Sequence, residues 1–76
     1  MKSFNIMLDS INKVKAFVNI VAKCDYDVDL TSGRYIVDAK SIMGIFSLDL
    51  SKPIKLDIHG DDDGSFEAEI KEFIVE

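Results

Sequence analysis

Apolar and polar positions in this chain switch between two periods. Phe4, Ile6 and Leu8 alternate with Asn5 and Met7, and period two predicts a strand over residues 3–8 with one buried face. Asp9 and Ser10 follow, with side-chain oxygens suited to capping a helix. Ile11, Val14, Phe17, Val18 and Val21 then recur at spacings of three and four, with Lys13, Lys15, Asn19 and Lys23 mostly opposite. That spacing predicts an amphipathic helix over residues 10–24.

Period two returns after the helix. Val28 and Leu30 alternate with Asp27, Asp29 and Thr31, and Tyr35, Val37 and Ala39 alternate with Ile36 and Asp38. Ser32-Gly33 between them is the expected two-residue turn, because glycine reaches positive φ without a steric cost. The two strands read as an antiparallel hairpin. Ser41 is placed to cap a short helix running to about Leu48. Pro53 ends that region, since it lacks a donor and biases Lys52 away from helical geometry. Ile54, Leu56 and Ile58 alternate with Lys55, Asp57 and His59, which predicts a fourth strand. Gly60 to Gly64 is an acidic turn. Asp63 or Ser65 is expected to cap a last helix with Phe66, Ile70, Phe73 and Ile74 as its stripe.

The predicted order is β-α-β-β-α-β-α. Each helix has one apolar stripe and each strand one apolar face. The economical packing is an α+β open-faced sandwich: a four-stranded antiparallel sheet with three helices on one face. Asn5, Asp27, Asp29, Lys55 and Asp57 are then expected on the solvated face.

Composition narrows the partners. Seventy-six residues make a single domain spanning 1–76, and a chain of this size buries only about 60% of its unfolded surface. The 47% apolar and 30% charged content is that of a folded globule, not a disordered chain. A formal charge of −5 disfavours nucleic acid and anionic membranes, whose phosphates require clustered Lys and Arg. Cys24 is the single cysteine, so no intrachain disulfide can form, which fits a reducing cytosol and a cytoplasmic location. No signal peptide or membrane-inserted segment is expected from the start of the sequence or its apolar runs.

Three stretches resemble one family. Lys40-Ser41-Ile42-Met43-Gly44-Ile45-Phe46-Ser47-Leu48 is similar to the regulatory segment of HPr, the phosphocarrier protein of bacterial sugar phosphotransferase systems. Asp27-Val28-Asp29-Leu30, reached from Lys23 at the family's spacing, is the second. The first strand with its Asp9-Ser10 ending is the third. The element order is also the one HPr proteins use. The resemblance implies a soluble carrier, not an enzyme, that acts with enzyme I, a serine kinase and a transcription regulator, and needs no cofactor.

The sequence departs from that family at its best-known chemistry. A phosphocarrier HPr has a Gly-x-His-Ala-Arg-Pro-Ala loop leading into its first helix. Here the stretch reads Asp9-Ser10-Ile11-Asn12-Lys13-Val14-Lys15-Ala16, and anchored on Lys23 to Leu30 it is about three residues shorter. Phosphohistidine requires an imidazole nitrogen as nucleophile, and a lysine protonated at neutral pH does not replace it. No phosphotransfer is expected through this region.

Four groups of residues remain as candidates. The resemblance marks Ser41 as a regulatory phosphorylation site, and phosphate at a helix N-terminus meets free N–H groups. The plainer role for Ser41 is an N-cap. With Ile45 and Leu48 facing the sheet, Ile42, Met43 and Phe46 tend outward and form a candidate docking patch. The competing role is core. His59 is the only imidazole. It is the acceptor if the protein carries phosphate in an atypical way, and otherwise part of a solvated turn beside Asp61, Asp62 and Asp63. Lys13, Lys15 and Lys23 read as a solvated helix face. No zinc, calcium or other metal spacing is present. The leading reading is an HPr-like regulatory binding protein that phosphorylation of Ser41 would switch. The alternatives are an atypical carrier using His59, or a module that dimerises through its apolar patch.

Overall fold

A computed structural model describes residues 2–60 and 64–75. The strands are β1 (Lys2–Ile6), β2 (Asp27–Ser32), β3 (Tyr35–Asp38) and β4 (Ile54–His59), and the helices are α1 (Ile11–Val21), α2 (Ile42–Phe46) and α3 (Ser65–Ile70). A single 3-10 turn over Lys71–Phe73 extends α3. The order is the predicted β-α-β-β-α-β-α. The four strands form one antiparallel sheet in the order β1-β4-β2-β3. β4, last in sequence, therefore lies between β1 and β2.

Register decides which residues share a face. Phe4 opposes Leu56, Leu56 opposes Leu30, and Leu30 opposes Val37. Successive strand residues point to opposite faces, so this row and its even-spaced neighbours Ile6, Ile54, Ile58 and Val28 define the inner face. The helices cover it with Val14, Phe17 and Val21 of α1, Ile45 of α2, and Phe66 and Ile70 of α3, all buried. Phe73 meets Phe17 edge to face, with centroids 5.9 Å apart. No polar or charged side chain is buried among the described residues. The outer face carries Asn5, Asp27, Asp29, Lys55 and Asp57, as the alternation predicts; Asp29 and Asp57 are half-covered by neighbours.

The local corrections have physical causes. β1 ends at Ile6, short of the expected Leu8, although Leu8 is fully buried. α1 ends at Val21, because Lys23 and Cys24 bond to Ile20 and Val21, three residues back, and tighten the last turn. Ile11 is 62% exposed instead of joining the stripe: it sits about 80° around the helix from Val21, at the margin of the buried face. The hairpin turn falls at Gly33-Arg34, with Ser32 still in β2. Gly33 takes φ +60° and Arg34 does not have positive φ, which fits a two-residue hairpin of the II′ kind. Ala39 lies just past β3, yet is buried and bonds to Val28. α2 stops at Phe46, where Ser47 and Leu48 again bond three residues back. Ser65 does not cap α3: it is the first helical residue, and Gly64 at φ +101° holds the cap position without a side-chain bond. Asp63 lies outside the described residues.

Both lateral edges of the sheet are not alike. The end of β1 is covered by residues 73–75: Met7 N–H donates to Phe73 O, Val75 N–H donates to Asn5 O, and Ile6 bridges Ile74. β3 pairs only with β2 among the described residues.

Candidate functional site

The centre of interest is α2 and its approach. Asp38 closes β3 and organises the turn that follows: its carbonyl accepts from Ser41 N–H at 2.9 Å, and its Oδ1 accepts from Lys40 N–H at 2.9 Å. Lys40 Nζ donates to the carbonyl of Cys24 at 3.1 Å, tying the turn to the end of α1. Ser41 then has extended backbone geometry, and its Oγ accepts from Gly44 N–H at 3.2 Å. This is an N-cap, satisfying one of the donors a helix start leaves free. At the other end Ser47 Oγ donates to Gly44 O at 2.5 Å. Gly44 faces β3: a Cβ added there would lie 3.3 Å from both Val37 Cβ and Ser41 Oγ. A glycine here lets α2 sit close on the sheet.

That seating fixes the outward face. Ile45 and Leu48 are buried, whereas Met43 is 77% and Phe46 40% exposed beside the exposed Ser41. Ile42 is half-buried and packs on the core. The sequence placed all three outward; the five-residue helix turns Ile42 toward its own edge of the core, so the exposed patch is Met43 and Phe46.

The start of α1 holds no imidazole. Ser10 caps the helix by accepting from Lys13 N–H at 3.2 Å, and Lys13 Nζ pairs with Asp9 Oδ1 at 2.9 Å. Hydrogen bonding and attraction from Lys13 hold the Asp9 carboxyl below its ordinary range. Ile11, Asn12 and Lys13 occupy the exposed first turn.

His59 lies elsewhere, on the outer face of the sheet. Its Nε2 is 2.8 Å from Asp29 Oδ2, and its strand partner on β2 is Asp27. With Asp38, these residues line an open depression of about 530 Å³. A phosphoryl group on this imidazole would face three carboxylates, which is the opposite of the cationic and N–H-rich surroundings that anions favour. The run Asp61 to Asp63 lies outside the described residues. The carboxylates that do surround His59 come from β2 and β3. Sequence reading placed Asp27 and Asp29 on the solvated face but missed their meeting with His59, because alternation does not reveal that β4 inserts beside β2. No group of residues able to hold a metal ion occurs among the described residues.

A four-stranded antiparallel open sheet covered on one side by three helices, in the order β-α-β-β-α-β-α, is the HPr-like fold. The family model described as "PTS HPr component phosphorylation site" matches residues 12–76. The chain belongs to the HPr family. It is similar to HPr-C-His from Thermoanaerobacter tengcongensis, at 28% identity and a TM-score of 0.79 over 95% of this chain and 89% of that one. It is similar also to the phosphocarrier protein HPr of Bacillus anthracis, at 25% identity and a TM-score of 0.72 over 95% and 93%. The histidine-containing phosphocarrier protein of Mycoplasma shares the fold at 16% identity, with a TM-score of 0.72 over 93% and 86%. No curated protein matches. No helix among the described residues is long and apolar enough to cross a membrane.

Proposed function

We propose that this HPr-family protein works as a regulatory binding protein and not as a phosphohistidine carrier. The observation that carries the reading is a contrast between two helix starts. α1 begins with Ser10, Ile11, Asn12 and Lys13 and offers no imidazole, while α2 keeps an exposed, capping Ser41 beside exposed Met43 and Phe46. Exposed apolar side chains of this size on a small domain support partner docking, and Met adapts to different partner shapes. The partners are proteins of the phosphotransferase type: the serine kinase, a transcription regulator or enzyme I.

Phosphorylation of Ser41 is the proposed switch. A phosphate there adds close to two negative charges and three acceptor oxygens. It can keep the bond from Gly44 N–H while placing charge beside Met43, which disfavours an apolar partner surface and favours one that presents arginine. No covalent catalysis by the protein itself is involved, and no cofactor is required.

The test is the intact mass of the protein after incubation with ATP and an HPr serine kinase, alongside Ser41→Ala. One added phosphate, lost in Ser41→Ala, is expected. An unmodified wild-type protein reduces Ser41 to a cap. The docking arm is separate: Met43→Ala with Phe46→Ala should abolish binding to the kinase, and unchanged binding sinks the α2 surface. Incubation with enzyme I and phosphoenolpyruvate should leave no acid-labile phosphate; label on His59 would reverse the reading.

A further inference from the structure

We propose that β3 is a self-complementary edge through which two copies of this chain pair into one continuous sheet. The starting observation is the asymmetry of the sheet. Residues 73–75 cover the end of β1 at Asn5 and Ile6, whereas β3 has no partner along its outer side among the described residues. An open edge presents unpaired backbone groups and is usually blunted by charge, proline or a bulge. β3 carries one charged side chain, Asp38, and exposes two large apolar ones, Tyr35 at 71% and Ile36 at 68%, on opposite faces of the sheet.

Backbone direction selects the register. Ala39 N–H donates to Val28 O of β2, so residues 35, 37 and 39 direct their backbone groups inward. Ile36 and Asp38 direct their N–H groups outward. The carbonyl of Asp38 is engaged by Ser41, which leaves Ile36 at the centre of the free edge. A two-fold axis through Ile36 pairs Ile36 with Ile36 of the second copy. It also sets Arg34 of each copy opposite Asp38 of the other. Shifting by two residues in either direction would place Ile36 against Asp38 or against Arg34.

Charge supports the Ile36-centred register. Arg34 and Asp38 are exposed, and neither has an ion partner among the described residues. Asp38 lies directly opposite Asp29 on β2, and Asp29 opposite Asp57 on β4, so three carboxylates stand in a row with no arginine near the β3 end. Like charges directly opposite are unfavourable. The second copy's arginine would answer that end of the row, twice by symmetry, flanking an apolar centre. This is the isologous pattern of a two-fold dimer, in which the same patch serves both subunits. A four-residue strand buries little area, at the low end of specific interfaces, so the association is weak and belongs to high local concentration.

Sedimentation equilibrium of the whole chain over a wide concentration range tests this. The average mass should rise toward twice that of the chain, and the rise should weaken with salt. Arg34→Asp sets two carboxylates face to face and should lower the association constant roughly tenfold or more. Arg34→Asp with Asp38→Arg should restore it. Because Asp38 also holds the turn before α2, the amides provide a second readout. Hydrogen exchange at Ile36 should slow as wild-type concentration rises, and exchange at Val37, already bonded to β2, should not change. A monomer mass at every concentration overturns the proposal. So does association that survives Arg34→Asp, or that is lost only with Met43→Ala and Phe46→Ala, which would locate the contact on α2.

Discussion

Asp29 and His59 are joined across β2 and β4 by a 2.8 Å contact between Oδ2 and Nε2, and Asp29 is also the middle of a carboxylate row from Asp57 to Asp38. The two relationships oppose each other. The imidazole supplies a hydrogen-bond partner, while the flanking carboxylates repel. Asp29→Asn keeps an acceptor for His59 and removes the central charge. The expected result is a gain of about 0.5 kcal/mol, read as a higher urea midpoint at low ionic strength that shrinks as salt screens the row. A loss of stability would mean that the ionised Asp29 is worth more to His59 than its neighbours cost.

Acid sensitivity should come partly from two exposed aspartates. Lys13 bonds to Asp9 and lowers its pKa, and Ser51 lowers that of Asp49 through its hydroxyl and its N–H, with Oδ1 contacts of 2.5 and 3.0 Å. A carboxyl depressed in the folded state contributes stability that is complete above its unfolded value, near 3.8. The contribution is lost as pH falls through the lower folded value. Lys13→Ala and Ser51→Ala should therefore lower the urea midpoint slightly at neutral pH, a small effect because the pairs are exposed, and the difference from wild type should close as the pH falls through the folded values. A midpoint that falls with pH as steeply in both variants as in wild type would show that neither aspartate is held in solution as it is here.

The Ser41 cap has a cost of removal separate from any switch. Ser41→Ala frees Gly44 N–H at the start of a five-residue helix, and loss of such a cap costs about 1 kcal/mol. Ser41→Asp retains a side-chain acceptor and adds charge. It should recover most of that stability while weakening any partner that docks on Met43. Equal midpoints for Ser41→Ala and wild type would show that the cap contributes nothing measurable.

Much of this architecture is legible from periodicity alone. Phe4-Ile6 and Ile54-Leu56-Ile58 declare buried strand faces, Val14-Phe17-Val21 a helix stripe, and Ser10 and Ser41 their caps. What alternation omits is who lies beside whom. The insertion of β4 next to β2 is decided by packing of the whole sheet, and only it brings His59 to Asp29. Ends are lost for a related reason: Ile11 fits the apolar stripe in sequence yet is exposed, and Ile42, expected outward, packs on the edge of the core, because where each lies depends on how far the covered face extends. The helix after Ser41 is legible from its cap, whereas its regulatory role is implied only by the resemblance to HPr proteins, as is the significance of the missing imidazole at the start of α1. The open β3 edge has no sequence signal of its own, since Tyr35 and Ile36 read as ordinary strand residues and alternation does not say which strand lies at an edge.

Gly60 shows how such a sheet constrains a residue that looks like mere turn material. It follows His59 at the end of β4, and a Cβ built there would lie 2.5 Å from Tyr26 Cβ and 2.6 Å from Cγ. Those atoms are the base of a side chain whose ring meets Phe66 edge to face, with centroids 6.2 Å apart. The ring cannot swing aside without leaving Phe66, the first buried residue of α3. Gly60→Ala should thus cost about 1–3 kcal/mol by overpacking, a large share of the stability of so small a domain. Gly33→Ala separates this effect from backbone strain, because Gly33 has positive φ but open space around its Cβ. Tyr26→Gly removes the clashing Cβ and Cγ, so the Gly60→Ala, Tyr26→Gly double variant should lose less than the sum of the two single losses if the clash is the cause. A Gly60→Ala protein as stable as wild type would show that β4 ends with more freedom than this contact allows.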